Sequence, residues 1–145
     1  MIRKYSMEAA RRKIDAARRK PKGERTPLDA KELALTVAGI ALDKQAIALE
    51  IIDVSNKVDY TRYLVICSGR SERHVDALCS AVEQGMRERG IRPLGVEGRQ
   101  ANQWVLVDYD DIILHVFEDT RRGFYDLDGL WIDADRVPLR AAVGA

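Results

Sequence analysis

The sequence predicts a single α/β domain: a mixed β-sheet of about five strands with helices packed on it. Three observations lead there. The chain has 145 residues, the length of one domain, and 46% of them are hydrophobic, enough for a proper core. Apolar spacing changes along the chain in the order helix, strand, strand, helix, strand, strand, strand, helix. YLVICSG, residues 63–69, is almost continuously apolar, as suits a central strand covered on both faces.

The first segment is set apart by charge. Residues 1–26 hold ten Lys or Arg against Glu8, Asp15 and Glu24, a net +7, while the remaining 119 residues carry −6. Residues 1–25 are therefore a basic arm and linker, 26–138 the folded domain, and 139–145 a tail. Within the arm, residues 6–20 have helix-favouring composition, with Ser6 as a cap and Met7, Ala10, Ile14 and Ala17 at three- and four-residue spacing. Those side chains are small and few, so such a helix would be marginal alone.

Thr26 is the expected cap of the next helix, with Pro27 at its first position and Asp29 in its positive first turn. Leu33, Val37, Ile40 and Ala41 form its apolar stripe, and it ends near Lys44. AIALEIIDVS, residues 46–55, is strand-like, interrupted by Glu50. After YLVICSG, Ser71 caps a helix whose buried face is Val75, Leu78, Cys79, Val82 and Met86 and which Gly90 ends. PLGVEG, residues 93–98, holds a short strand, and a last helix runs over about Thr120 to Asp128.

Between these lies WVLVDYDDIILHVF, residues 104–117, which reads as a hairpin. A two-residue turn at Asp110-Asp111 pairs Asp108 with Ile113, Val107 with Leu114, Leu106 with His115, Val105 with Val116 and Trp104 with Phe117. One face then carries Val105, Val107, Tyr109, Ile112, Leu114 and Val116, which is core. The other carries Trp104, Leu106, Asp108, Ile113, His115 and Phe117, too apolar for solvent yet holding two ionisable groups. Two readings stand: helices cover it, or it is a partner-binding patch with an aromatic anchor and a charge.

Several chemistries find no support. His74 and His115 have no cysteine or histidine at metal-binding spacing. GRSERH, residues 69–74, lacks the glycines and lysine of a phosphate loop. No GxSxG and no Cys/His dyad is present. Cys67 and Cys79 read as reduced, buried thiols of a cytosolic protein. No apolar run reaches the roughly 18–20 residues that cross a bilayer. Gly69-Arg70-Ser71 with Asp108 and Asp110 echoes a Mg²⁺-dependent nucleotidyltransferase, though the carboxylates come far too late after the Gly-Ser element. The arm admits three readings: a solubilising tail, a contact to RNA phosphates through Arg11, Arg12, Arg18 and Arg19, or a transit peptide, against which its single serine before Thr26 and its acids count.

Taken together, DVSNKVDYTRYLVICSGRSERHVDAL (53–78), RPLGVEG (92–98), WVLVDYDDIILHVF (104–117) and FYDLDGLW (124–131) resemble the ribosomal silencing factor, or Iojap-related, family, in its order and spacing over about 100 residues. The resemblance implies a compact α/β fold similar to nucleotidyltransferases but without catalysis or cofactor. It implies a cytoplasmic repressor of translation that binds the large ribosomal subunit through ribosomal protein L-fourteen, blocks joining of the small subunit and acts when nutrients are short. Organelle relatives serve in ribosome assembly. On this footing Trp104, Leu106, Asp108 and His115 are expected at the partner contact, Trp104 as anchor and Asp108 pairing with a partner cation, with Glu97 and Gly98 behind them. Tyr125, Leu127, Leu130 and Trp131 read as a helix packed on the sheet, and Arg73 and His74 as holding local hydrogen bonds. Two departures stand out: Asp110 occupies a turn position where the family commonly has glycine, and the basic arm, with any rRNA contact it makes, lies outside the shared core. A homodimer of the free chain is left open.

Overall fold

The computed structural model describes residues 2–18 and 29–139. Thr26, Pro27, Arg19, the linker at 21–25 and the tail from 140 lie outside the described residues. The elements are α1 (Ile2–Ala17), α2 (Ala30–Asp43), β1 (Ile47–Asp53), β2 (Tyr63–Gly69), α3 (Glu72–Glu88), β3 (Gly95–Glu97), β4 (Trp104–Asp108), β5 (Ile112–Glu118), α4 (Asp119–Tyr125), α5 (Leu127–Leu130) and β6 (Asp135–Arg136).

The strands form one mixed sheet in the order β3-β4-β5-β2-β1-β6. Its parallel pair is β2 with β5, and the other pairs are antiparallel. β2 lies inside the sheet with every residue buried, as its unbroken apolar run requires. The sixth strand was not expected, because Asp135 and Arg136 are too short a segment to leave an alternating pattern. In β1 the register shifts between Ile47 and Glu50, and Ala48 has φ 49°, the signature of a bulge. Glu50 is tolerated there because Arg136 Nε and Arg122 Nη2 lie 3.4 and 3.7 Å from its carboxylate.

Helices cover both faces. On one, α2 and α3 pack Leu33, Val37, Val75, Leu78, Val82 and Met86 against Val105, Val107, Leu114 and Val116. Asp29 caps α2 by accepting a 2.8 Å hydrogen bond from the Glu32 amide, so it stands just outside the helix and not in its first turn. Ser71 caps α3 as expected. On the other face lie α1, α4 and α5, over Ile52, Leu64, Ile66, Trp104, Leu106, Ile113 and Phe117. The expected last helix is split by Asp126, whose left-handed backbone (φ 51°) ends α4 while its carboxylate caps α5 at the Gly129 amide. Arg122 pins this pair to the sheet, donating to Asp128 Oδ2 at 2.7 Å and to Ser68 Oγ at 3.2 Å.

The arm departs most from expectation. It begins at Ile2, so Ser6 lies within the helix and does not cap it, and it is packed on the domain. Ala10, Ile14 and Ala17 are buried, as their spacing allows, whereas Met7 is 54% exposed. Small side chains let α1 come close to the sheet edge. A Cβ on Gly95 would stand 1.8 Å from the Ala17 carbonyl oxygen, so this approach requires glycine.

Candidate partner-binding face

The hairpin forms in the expected register: all five pairs from Trp104–Phe117 to Asp108–Ile113 are present. Its turn spans Asp110 and Asp111 as expected, closed by the Tyr109 amide donating to the Ile112 carbonyl at 2.9 Å. Asp110 alone has positive φ (71°), and the Asp111 amide reaches back to the Tyr109 carbonyl at 2.9 Å. The Asp108 carboxylate stabilises this bend by accepting from the Asp110 amide at 2.8 Å.

Alternation along β4 and β5 brings Trp104, Leu106, Asp108, Ile113, His115 and Phe117 to one face. Trp104 stacks on Phe117 at 5.0 Å between centroids and meets Tyr125 of α4 at 4.4 Å. Its Nε1–H donates to His115 Nδ1 at 3.0 Å. The acceptor role of Nδ1 makes His115 neutral, with its proton on Nε2. Burial, aided by the nearby Lys13 charge, drives the His115 pKa down to about 3.

The face is closed by α1. Arg18 grips Asp108 with two nitrogens: Nε on Oδ2, and Nη2 on Oδ1 at 3.1 Å. The same Nη2 donates to the Tyr60 carbonyl at 2.8 Å and lies 3.7 Å from Asp110 Oδ1. Burial opposes the Arg18 charge, but the Asp108 hydrogen bond and charge, with Asp110, outweigh it and raise its pKa. Lys13 Nζ lies 5.2 Å from the Trp104 ring centroid, and Arg11 is 5.6 Å from that of Tyr60. The Lys13 pKa is lowered by burial, against the attraction of Glu97. Contact is incomplete farther along: a cavity of about 290 Å³ remains between α1, α5 and the segment before β2, lined by Met7, Val58, Leu64, Leu130 and Trp131.

Residues 27–144 match the family described as "Ribosomal silencing factor during starvation". The chain belongs to the ribosomal silencing factor family. It is 32% identical over 112 residues to a ribosomal silencing factor of Halalkalibacterium halodurans, covering 77% of this chain and 93% of that protein. A second, from Bacillus subtilis, is also 32% identical over 112 residues, covering 77% and 95%. A crystal structure of a Chromobacterium violaceum protein superposes with TM-score 0.70 at 28% identity, over 72% of this chain and 87% of that one.

In this family member the sequence-singled residues converge, but not on an open surface. Trp104 is 4% exposed, His115 1%, and Leu106 and Asp108 are fully buried. Of the two readings of this face, the structure gives the covered one: the arm, with α4 and α5, lies over it, and Asp108 meets an internal arginine. Glu97 is half-buried, paired in register with Leu106. Gly98 has φ 97°, and a Cβ there would stand 2.2 Å from the Trp104 carbonyl oxygen, so it is a structural requirement of the hairpin's approach. Arg11 and Arg12 of the arm are exposed, whereas Arg18 is turned into the sheet face. Tyr60, Lys13 and Gly95 were not singled out. Tyr60 acts through its carbonyl, which leaves no sequence signal, and Gly95 sits in a short strand where glycine alone is ambiguous.

The nucleotidyltransferase echo comes apart in the register. Gly69 pairs with Glu118 at one end of β5, while Asp108 pairs with Ile113 near the other. Five residues of strand, roughly 16 Å, separate the two levels. The start of α3 is also filled from within: His74 Nδ1 accepts from the Arg70 amide at 2.9 Å, and its Nε2–H is shared with the Lys44 carbonyl at 2.9 Å. The cation shared by Asp108 and Asp110 is Arg18. No helix among the described residues is long and apolar enough to cross a membrane.

Proposed function

We propose that the chain binds the large ribosomal subunit through ribosomal protein L-fourteen, obstructs joining of the small subunit, and so represses translation in the cytoplasm under nutrient limitation, without catalysis. One observation supports the partner's chemistry above the others. The sheet carries a fully buried carboxylate, Asp108, on the same face of β4 as an aromatic anchor, Trp104, and the guanidinium that meets it comes from outside the family-matched region, from Arg18. A carboxylate so placed suits a basic protein partner, as does the −6 charge of the residues after 26. Asp108 then pairs with the partner's Lys or Arg, Trp104 and Leu106 supply apolar contact, and His115 orients Trp104. Arg11 and Arg12, on the outer side of α1, are the arm's candidates for rRNA phosphates.

The test is co-sedimentation of the purified chain with isolated large subunits, followed by light scattering as small subunits are added. Binding to large subunits and slower joining are expected, with ribosomal protein L-fourteen recovered on pull-down. Absence of large-subunit binding by the chain and by variants with a loosened arm would refute the reading.

A further inference from the structure

We propose that the Trp104–Asp108–His115 face is a receptor for a basic helix and that α1 is its intramolecular occupant, so that a partner reaches the face only after the arm has left. This rests on the partner reading above and adds its regulation.

Three features of the contact carry it. The first is mimicry. The proposed partner must offer Asp108 a cation and Trp104 a close contact, and α1 supplies both, through Arg18 on Asp108 and Lys13 near the Trp104 ring. A partner's cation cannot reach Asp108 while the arm is docked, because the carboxylate is then fully buried and the Arg18 fork occupies both of its oxygens.

The second is that the dock is shaped for this helix. Gly95 lets the Ala17 carbonyl close on β3, and Gly98 leaves room beside Lys13, whose Nζ would stand 3.2 Å from a Cβ there. The third is that the dock is light. Among the described side chains of α1 the buried ones are Ala10, Ile14 and Ala17, Met7 is mostly exposed, and the cavity of about 290 Å³ beneath the helix shows that it does not fill the face. Among the described side chains, α1 is held by the Arg18 fork, the ring contacts of Lys13 and Arg11 and three buried apolar residues, fewer than α2 and α3 each bury on the opposite face, so it is the helix a competitor displaces.

Competition of this kind lowers apparent affinity by the fraction of molecules with the arm open. Two full-length variants open it by different means. Arg18→Glu places a carboxylate against Asp108 and Asp110, and Gly95→Ala forces the Ala17 carbonyl away without changing charge. Each is compared with the unaltered chain by trypsin cleavage after Arg11, Arg12 and Lys13 and by co-sedimentation with isolated large subunits, with circular dichroism confirming the fold. Faster cleavage and about tenfold tighter binding are expected for both. Faster cleavage with unchanged or weaker binding overturns the inference while leaving the partner reading standing, as does unchanged cleavage in both variants. If neither the chain nor its opened variants bind, the partner reading fails and this inference falls with it.

Discussion

Acid should unfold this protein through His115. The imidazole is 1% exposed, accepts from Trp104 Nε1, and has its pKa lowered to about 3 against 6.5 for a free histidine. Between those values the unfolded chain binds a proton that the native chain refuses. Stability therefore rises with pH through this window and is lost as pH falls below about 6.5. At about 1.4 kcal/mol per pH unit, the contribution lost is about 2 kcal/mol at pH 5 and about 3 at pH 4, with a ceiling near 5. Protonation at Nδ1 also removes the acceptor for Trp104, so the loss begins where the arm rests. The assay is urea denaturation at pH 7.5, 6.5, 5 and 4, comparing the chain with His115→Gln, which can keep an acceptor for Trp104 but cannot titrate. The two stability curves should diverge below pH 6.5, the unaltered chain falling more steeply. Parallel curves down to pH 4, or an NMR titration of His115 near 6.5, would refute the reasoning.

Other outcomes follow from the same contacts. Arg18→Ala strips the buried Asp108 carboxylate of its charge-assisted hydrogen bonds and should lower stability by about 2 kcal/mol. A double-mutant cycle with Asp108→Ala should return most of that as coupling, and independent effects would mean the pair is not formed. Cys67 and Cys79 are buried, with pKa values pushed up to about 12 by burial. Neither should react with iodoacetamide at pH 8 in the folded chain, and mass spectrometry should find both labelled in denaturant. Trp104→Ala with Asp108→Ala should abolish large-subunit binding even when the arm is opened by Gly95→Ala, each anchor change costing about 2 kcal/mol or more.

The hairpin was legible to the level of individual pairs. Strict alternation with Asp-Asp at the bend admits one register in which Val105, Val107, Leu114 and Val116 share a face, and that register is present. Alternation says which residues lie together and not what lies over them, so the second face remained ambiguous between covered and open. The cover is the arm, whose apolar spacing was visible but whose hold depends on an ion pair between residues 90 apart and on the close approach at Gly95. Neither leaves a periodic trace. The opposite charges of arm and body were the available hint that the two attract. The split at Asp126 was hidden for a different reason. Asp tolerates left-handed backbone and caps helices equally well, so FYDLDGLW suits one helix or two.

Hydrogen–deuterium exchange of the chain, free and bound to isolated large subunits, probes the account most directly. In the free chain, α1 and strands β4 and β5 should be protected. On binding, amides of residues 7–18 should exchange faster while residues 104–108 stay protected under the new partner. Continued protection of α1, with new protection confined to α2 and α3, would place the contact on the opposite face and contradict the account.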